Sequence, residues 1–204
     1  MTISPPGQYP AFAEITWRDR RIQLELDWVG SAGASAPTVV FLHEGLGSVA
    51  LWKDFPERLC RALGLRGVVF SRYGYGRSTA RPLDEPLTAD FMHYEAREVL
   101  PALFAQLGIV RPWLFGHSDG ASIALLHAAY HGAGLSGIIV AAPHIMVEER
   151  GLASIRQARD AYLNASLRER LAHYHADVDS AFWGWNDIWL DPAFRGWDIR
   201  EEVA

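Results

Sequence analysis

The five residues Gly116-His117-Ser118-Asp119-Gly120 constrain this chain more than any other stretch of it. They satisfy Gly-x-Ser-x-Gly where an apolar run, Pro112-Trp113-Leu114-Phe115, gives way to a helical pattern. A serine on so sharp a strand-to-helix turn is held in a strained backbone conformation that lifts its hydroxyl above the sheet. Glycine is needed two residues to either side, because a Cβ at Gly116 or Gly120 would clash. The helix that follows aims unpaired N–H groups and the positive end of its dipole at the same point, so negative charge developing there is stabilised. The competing reading is an N-cap serine among turn glycines. The strand, elbow and helix order favours Ser118 as a nucleophile.

The rest of the pattern supplies a matching scaffold. Ala11 to Trp17 and Arg21 to Trp28 alternate apolar and polar residues around Arg18-Asp19-Arg20, as an antiparallel hairpin with one wet face does. Thr38 to Leu42, Gly67 to Phe70, Pro112 to Phe115 and Gly137 to Ala141 are continuous apolar runs, the signature of strands covered on both faces. Helical patterns lie between them at 51–63, 89–107 and 119–131, and alternation of strand with helix means a mostly parallel sheet flanked by helices. From about 144 the pattern turns to helical segments and aromatic-rich loops with no further strand. The expected division is an α/β core over 1–143 and a helical lid over 144–204.

Composition narrows the classes. Half of the 204 residues are hydrophobic and 21% are charged, enough for one sizeable core. A net charge of -5 gives no electrostatic reason to expect nucleic acid or an anionic membrane as partner. Cys60 is the single cysteine, which excludes an internal disulfide and a clustered-thiolate metal site. No basic and apolar leader opens the chain at Met1 to Pro6, and no run is long enough to span a membrane. The expectation is a cytoplasmic protein with no metal and no cofactor.

Two further loops carry chemistry. His43-Glu44-Gly45-Leu46-Gly47-Ser48 follows the first central strand, where this architecture places the second oxyanion donor, so the backbone N–H groups of Gly45 and Asp119 are the expected pair. Ser71-Arg72-Tyr73-Gly74-Tyr75-Gly76-Arg77-Ser78 lacks the third glycine and the later acid of a dinucleotide fingerprint and reads as a structural turn beside the nucleophile.

The elbow, the His-x-Gly-x-Gly loop and the Gly-x-Gly-Arg-Ser turn, in this order, resemble the α/β-hydrolase superfamily. Among its branches the chain is most similar to the lactone, ester and carbon–carbon bond hydrolases of aromatic catabolism. It departs from them at Glu44, where glycine is usual, and at Ser71 and Tyr73, where aspartate and arginine or proline are more common. The resemblance implies acyl-enzyme chemistry at Ser118 and a triad completed by an acid and a histidine on later loops.

Such residues are hard to find after Ser118. Asp160, His173 and His175 come in the right order but in helical stretches. His144, Glu148 and Glu149 lie just past a strand end, where an acid is sometimes kept. The acid and histidine are therefore expected beyond residue 204, leaving this chain truncated. Trp183, Trp185 and Trp189 suit the roof of a pocket for a hydrophobic or aromatic carbonyl substrate, or simple packing of lid helices. Two other classes compete: an inactive fragment or binding module, and an acyltransferase with a similar elbow. The apolar edge of the strand at 137–141 has no charge or proline to protect it, so self-association is expected.

Overall fold

A computed structural model of the chain describes residues 11–30, 33 and 35–204. The reading of Met1 to Pro6 and part of the loop before Thr38 lie outside the described residues. Six strands form one sheet: β1 (Phe12–Trp17), β2 (Arg20–Val29), β3 (Thr38–Leu42), β4 (Arg66–Phe70), β5 (Trp113–His117) and β6 (Gly137–Ala141). Their order is β1-β2-β4-β3-β5-β6. β1 pairs antiparallel with β2 and β2 with β4, and the β4, β3, β5 and β6 ladders are parallel.

The burial of each strand follows its neighbours. β3 is central and buried at all five residues, and it is the continuous apolar run that two covered faces require. β1 alternates buried and exposed residues because one of its faces meets water. β6 is the last strand, pairing only with β5 among the described residues, and its Ile139 is 47% exposed.

Helices α1 (Phe55–Leu63), α2 (Phe91–Tyr94), α3 (Leu100–Leu107) and α4 (Asp119–His131) cover the sheet. α1 buries Cys60, whose thiol is pushed up to about 11, first by desolvation. The single helix expected over 89–107 is instead broken by a π-helical turn at Glu95–Val99. Pro101 accounts for the break. It lacks the N–H that would bond the Arg97 carbonyl one turn back, so the ladder widens there.

Beyond β6 the chain is helical, with α5 (Glu149–Asn164), α6 (Leu167–Leu171) and α7 (Val178–Leu190), plus a short bridge between Met146 and Asp198. Leu152, Ile155, Ile188, Trp189 and Phe194 join the main apolar core, so this region packs on the sheet layer. α6 ends at Leu171, so His173 and His175 lie outside it, contrary to the helical placement expected from the sequence. No described helix is long and apolar enough to cross a membrane.

Candidate active site

Ser118 sits between the end of β5 and the first turn of α4, with φ 52 and ψ -120. An L-residue with a side chain rarely adopts this backbone conformation, which costs roughly 1–3 kcal/mol and persists only where the surroundings enforce it. They do so here. The Ser118 N–H donates to the Ala141 carbonyl at the end of β6, at 3.0 Å. A Cβ on Gly116 would lie 2.4 Å from the Gly120 carbonyl oxygen, and one on Gly120 would lie 2.1 Å from that of Leu42. Strand and helix can therefore meet this closely only with glycine at both positions.

The structure brings His144 to this serine. Its Nε2 is 3.3 Å from Ser118 Oγ. The backbone of His144 is fixed by Ser122, one turn into α4: the His144 N–H donates to Ser122 Oγ at 3.0 Å, and that hydroxyl donates to the His144 carbonyl at 2.6 Å. Trp189 packs edge-on to the ring, with centroids 4.9 Å apart. The sequence places His144 just past a strand end but does not single it out for this contact. The Pro143-His144 step beyond β6 and the Ser122 hydroxyl one turn after the elbow are the signals that bear on it.

The remaining candidate histidines have other partners. His175 accepts from the Gly76 N–H and donates to the Leu46 carbonyl, both at 3.0 Å, and burial lowers its basicity. His43 is fully buried between the Arg72 N–H and the Glu44 carbonyl, and desolvation followed by Arg72 holds it well below the usual imidazole range. His173 and Asp160 make no hydrogen bond to Ser118, and Glu149 turns outward to Arg156.

Gly45 and Asp119 flank the elbow. Neither backbone N–H donates to an acceptor among the described residues: Asp119 is the first residue of α4 and Gly45 lies in the loop after β3. Trp185 packs against Gly45 so closely that a Cβ there would lie 2.1 Å from its Nε1. Trp183 instead packs edge-on against Tyr162 and Phe182, and Trp189 is buried against His144 and Phe194.

One buried cation ties these loops together. Arg72, 1% exposed, donates from Nη2 to the Glu44 carbonyl at 3.0 Å and lies 3.9 Å from the Asp119 carboxylate. Burial pushes the Asp119 carboxyl up, and Arg72 opposes the shift. Among the described residues no group of three or more His, Cys, Asp and Glu side chains is arranged to hold a metal.

A mostly parallel sheet with helices on its faces and a glycine-flanked serine elbow at the end of β5 is an α/β-hydrolase scaffold. The sequence profile of the alpha/beta hydrolase family matches residues 39–202, and the chain belongs to that family. It is 30% identical to the 2-succinyl-6-hydroxy-2,4-cyclohexadiene-1-carboxylate synthase of Yersinia enterocolitica, over 77% of this chain and 53% of that one. It is also 30% identical to the enzyme of the same name from an Enterobacter species, over 61% of this chain and 45% of that one. The chain thus spans about half the length of the curated relatives it matches.

Among solved structures it is similar to a carboxylesterase of Nitrososphaera gargenis, with TM-score 0.69 and 16% identity, covering 94% of this chain and 77% of that one. It is likewise similar to the enol-lactonase of Burkholderia xenovorans, with TM-score 0.64 and 20% identity, covering 89% and 73%. At such identities these likenesses show the fold.

Proposed function

We propose that this chain carries the nucleophile of a serine hydrolase that cleaves carboxylic esters, lactones or related carbonyl compounds through an acyl-enzyme. The carrying observation is Ser118 itself, strained at φ 52 on its elbow with an imidazole nitrogen 3.3 Å from its hydroxyl. In this reading Ser118 Oγ attacks the carbonyl carbon and passes its proton to His144 Nε2. The tetrahedral oxyanion accepts hydrogen bonds from the Gly45 and Asp119 N–H groups. His144 returns the proton to the departing oxygen, and water then attacks the acyl-enzyme by the same route.

The sequence led to an expected histidine and acid beyond residue 204; His144 provides a proton acceptor within the chain. Residues 144–204 act in this reading as a cap, with Trp185 above the Gly45 loop and Trp189 behind His144, which suits a hydrophobic or aromatic acyl group. The names of the solved neighbours, a carboxylesterase and an enol-lactonase, support this substrate class. The test is labelling with a fluorophosphonate followed by peptide mapping. A single adduct on Ser118, absent in Ser118→Ala, is expected; an adduct on another residue, or labelling undiminished in that variant, overturns the reading.

A further inference from the structure

A cavity of about 250 Å³ is lined by Arg72 but not by Ser118. Its walls come from the β1–β2 turn, the loop after β4, α2 and the start of the π-helical turn, and they are largely aromatic: Trp17, Tyr73, Tyr75, Phe91 and Tyr94. Two buried polar atoms of its lining residues, Arg72 Nε and Glu95 Oε2, have no hydrogen-bond partner among the described residues. The Tyr75 hydroxyl bonds to no described residue either. An unsatisfied buried polar group costs about 1–3 kcal/mol, so two on the residues of one cavity call for an explanation.

The other charged groups around the cavity are already engaged. Arg20 pairs with Glu85 at 2.5 Å. Arg81 donates to the Glu85 and Ser180 carbonyls. Arg18 stacks on Tyr94 and lies 3.5 Å from Glu98. Tyr73 donates to Glu85 at 3.4 Å. Four arginines therefore line the cavity against two carboxylates, which disfavours a cationic guest despite the aromatic walls.

We propose that this cavity binds a small aromatic or aliphatic molecule through its carboxylate, held by Arg72, Tyr75 and the carboxyl of Glu95. The Arg72 guanidinium and the Tyr75 hydroxyl donate to the guest, and Glu95, when protonated, donates a third bond. Burial pushes Glu95 up to about 7, with Arg72 opposing, so near neutrality it alternates between a donor and a repelling anion. Carboxylate binding accordingly strengthens as pH falls through that range. The aromatic walls take the apolar part of the guest. Because Arg72 also bonds the Glu44 carbonyl and faces Asp119, an occupied cavity borders directly on the elbow.

The test uses the 204-residue chain, isothermal titration and saturation-transfer NMR, with benzoate, benzamide and benzylamine as probes. Benzoate is expected to bind best, up to about tenfold tighter at pH 6 than at pH 8. Glu95→Gln, which keeps a donor at every pH, should bind benzoate at pH 8 as the parent does at pH 6. Leu87→Trp, which narrows the cavity without touching its charges, should lose at least tenfold. Preference for benzylamine or benzamide, benzoate binding unchanged by Leu87→Trp, or a Glu95→Gln profile as steep as the parent's overturns the proposal. So does failure of benzoate to bind at millimolar concentration. None of these readouts depends on turnover at Ser118, so they stand or fall apart from the hydrolase reading.

Discussion

His144 Nε2 lies 3.3 Å from Ser118 Oγ, although 26 residues separate the two in sequence. The approach is built by secondary structure. Ser118 closes β5 and His144 follows the adjacent parallel strand β6, so both leave the sheet at the same end. Ser122 then fastens the His144 backbone to the helix that Ser118 opens.

His144→Ala should slow fluorophosphonate labelling of Ser118 by about 10²–10⁴-fold at neutral pH, the usual contribution of a positioned base. The pH profile of the labelling rate separates this role from packing. A base leaves the profile when it is removed, whereas a packing residue lowers the rate equally at every pH. Ser122→Ala, which frees the His144 backbone, should retain the profile at a reduced rate.

Ser118→Gly should abolish labelling and stabilise the fold. Relief of the backbone strain is worth roughly 1–3 kcal/mol. The added freedom of glycine in the unfolded chain takes back roughly 0.5–1 kcal/mol. The difference, between about zero and 2.5 kcal/mol, should appear as a higher urea midpoint at unchanged slope, while a lower midpoint means the elbow is not strained.

The sheet and the elbow were legible because each rests on a local pattern. The apolar runs of β3 to β6 announce covered strands, and the clashes that await a Cβ at Gly116 and Gly120 explain why the spacing of the elbow glycines is so informative. What stayed hidden depends on contacts between distant segments. The break at Glu95–Val99 hangs on one missing N–H, because the apolar periodicity around it is unbroken. His144 reads as one histidine among eight until β5 and β6 are known to be neighbours. Arg72 looks like a surface turn residue, and its burial follows only from the meeting of three loops.

Gly45→Ala tests the loop after β3. The added Cβ would lie 2.1 Å from Trp185 Nε1, so either the indole or the Gly45 N–H must move. Labelling of Ser118 is expected to fall tenfold or more with little change in thermal midpoint. Adding Trp185→Ala should recover part of the loss, since the clash then disappears. Full labelling in Gly45→Ala alone would mean that this loop takes no part in stabilising the oxyanion.

The buried histidines should draw stability down as the solution becomes mildly acidic, while Glu95, pushed up to about 7, pulls the other way. His175 is buried, with its Nδ1 accepting from Gly76, and its folded pKa lies below the ordinary value of 6.5; His43 and His127 are shifted the same way. Above about pH 6.5 these groups are neutral in both states and cost nothing. Below it the unfolded chain takes up protons that the native state refuses, so native stability is lost as pH falls towards the folded values. Relative to the parent, the urea midpoint of His175→Gln should rise between pH 7 and pH 5; a constant offset would mean that His175 is not held neutral in the folded state.

The last prediction concerns β6. Its outer backbone groups face no strand among the described residues, and Ile139 stands 47% exposed on it near Trp113 of β5, itself 37% exposed. The run Gly137 to Ala141 carries no charge and no proline, the devices by which edge strands resist pairing. A second copy of the chain offers an identical edge, and antiparallel pairing of the two across a two-fold axis would satisfy both rows of backbone groups. The 204-residue chain should therefore sediment as a concentration-dependent mixture of monomer and dimer. Ile139→Lys places a charge on that edge and should shift the mixture to monomer with the native circular dichroism retained. A monomer at all concentrations, or a dimer indifferent to Ile139→Lys, would show that β6 is not the contact.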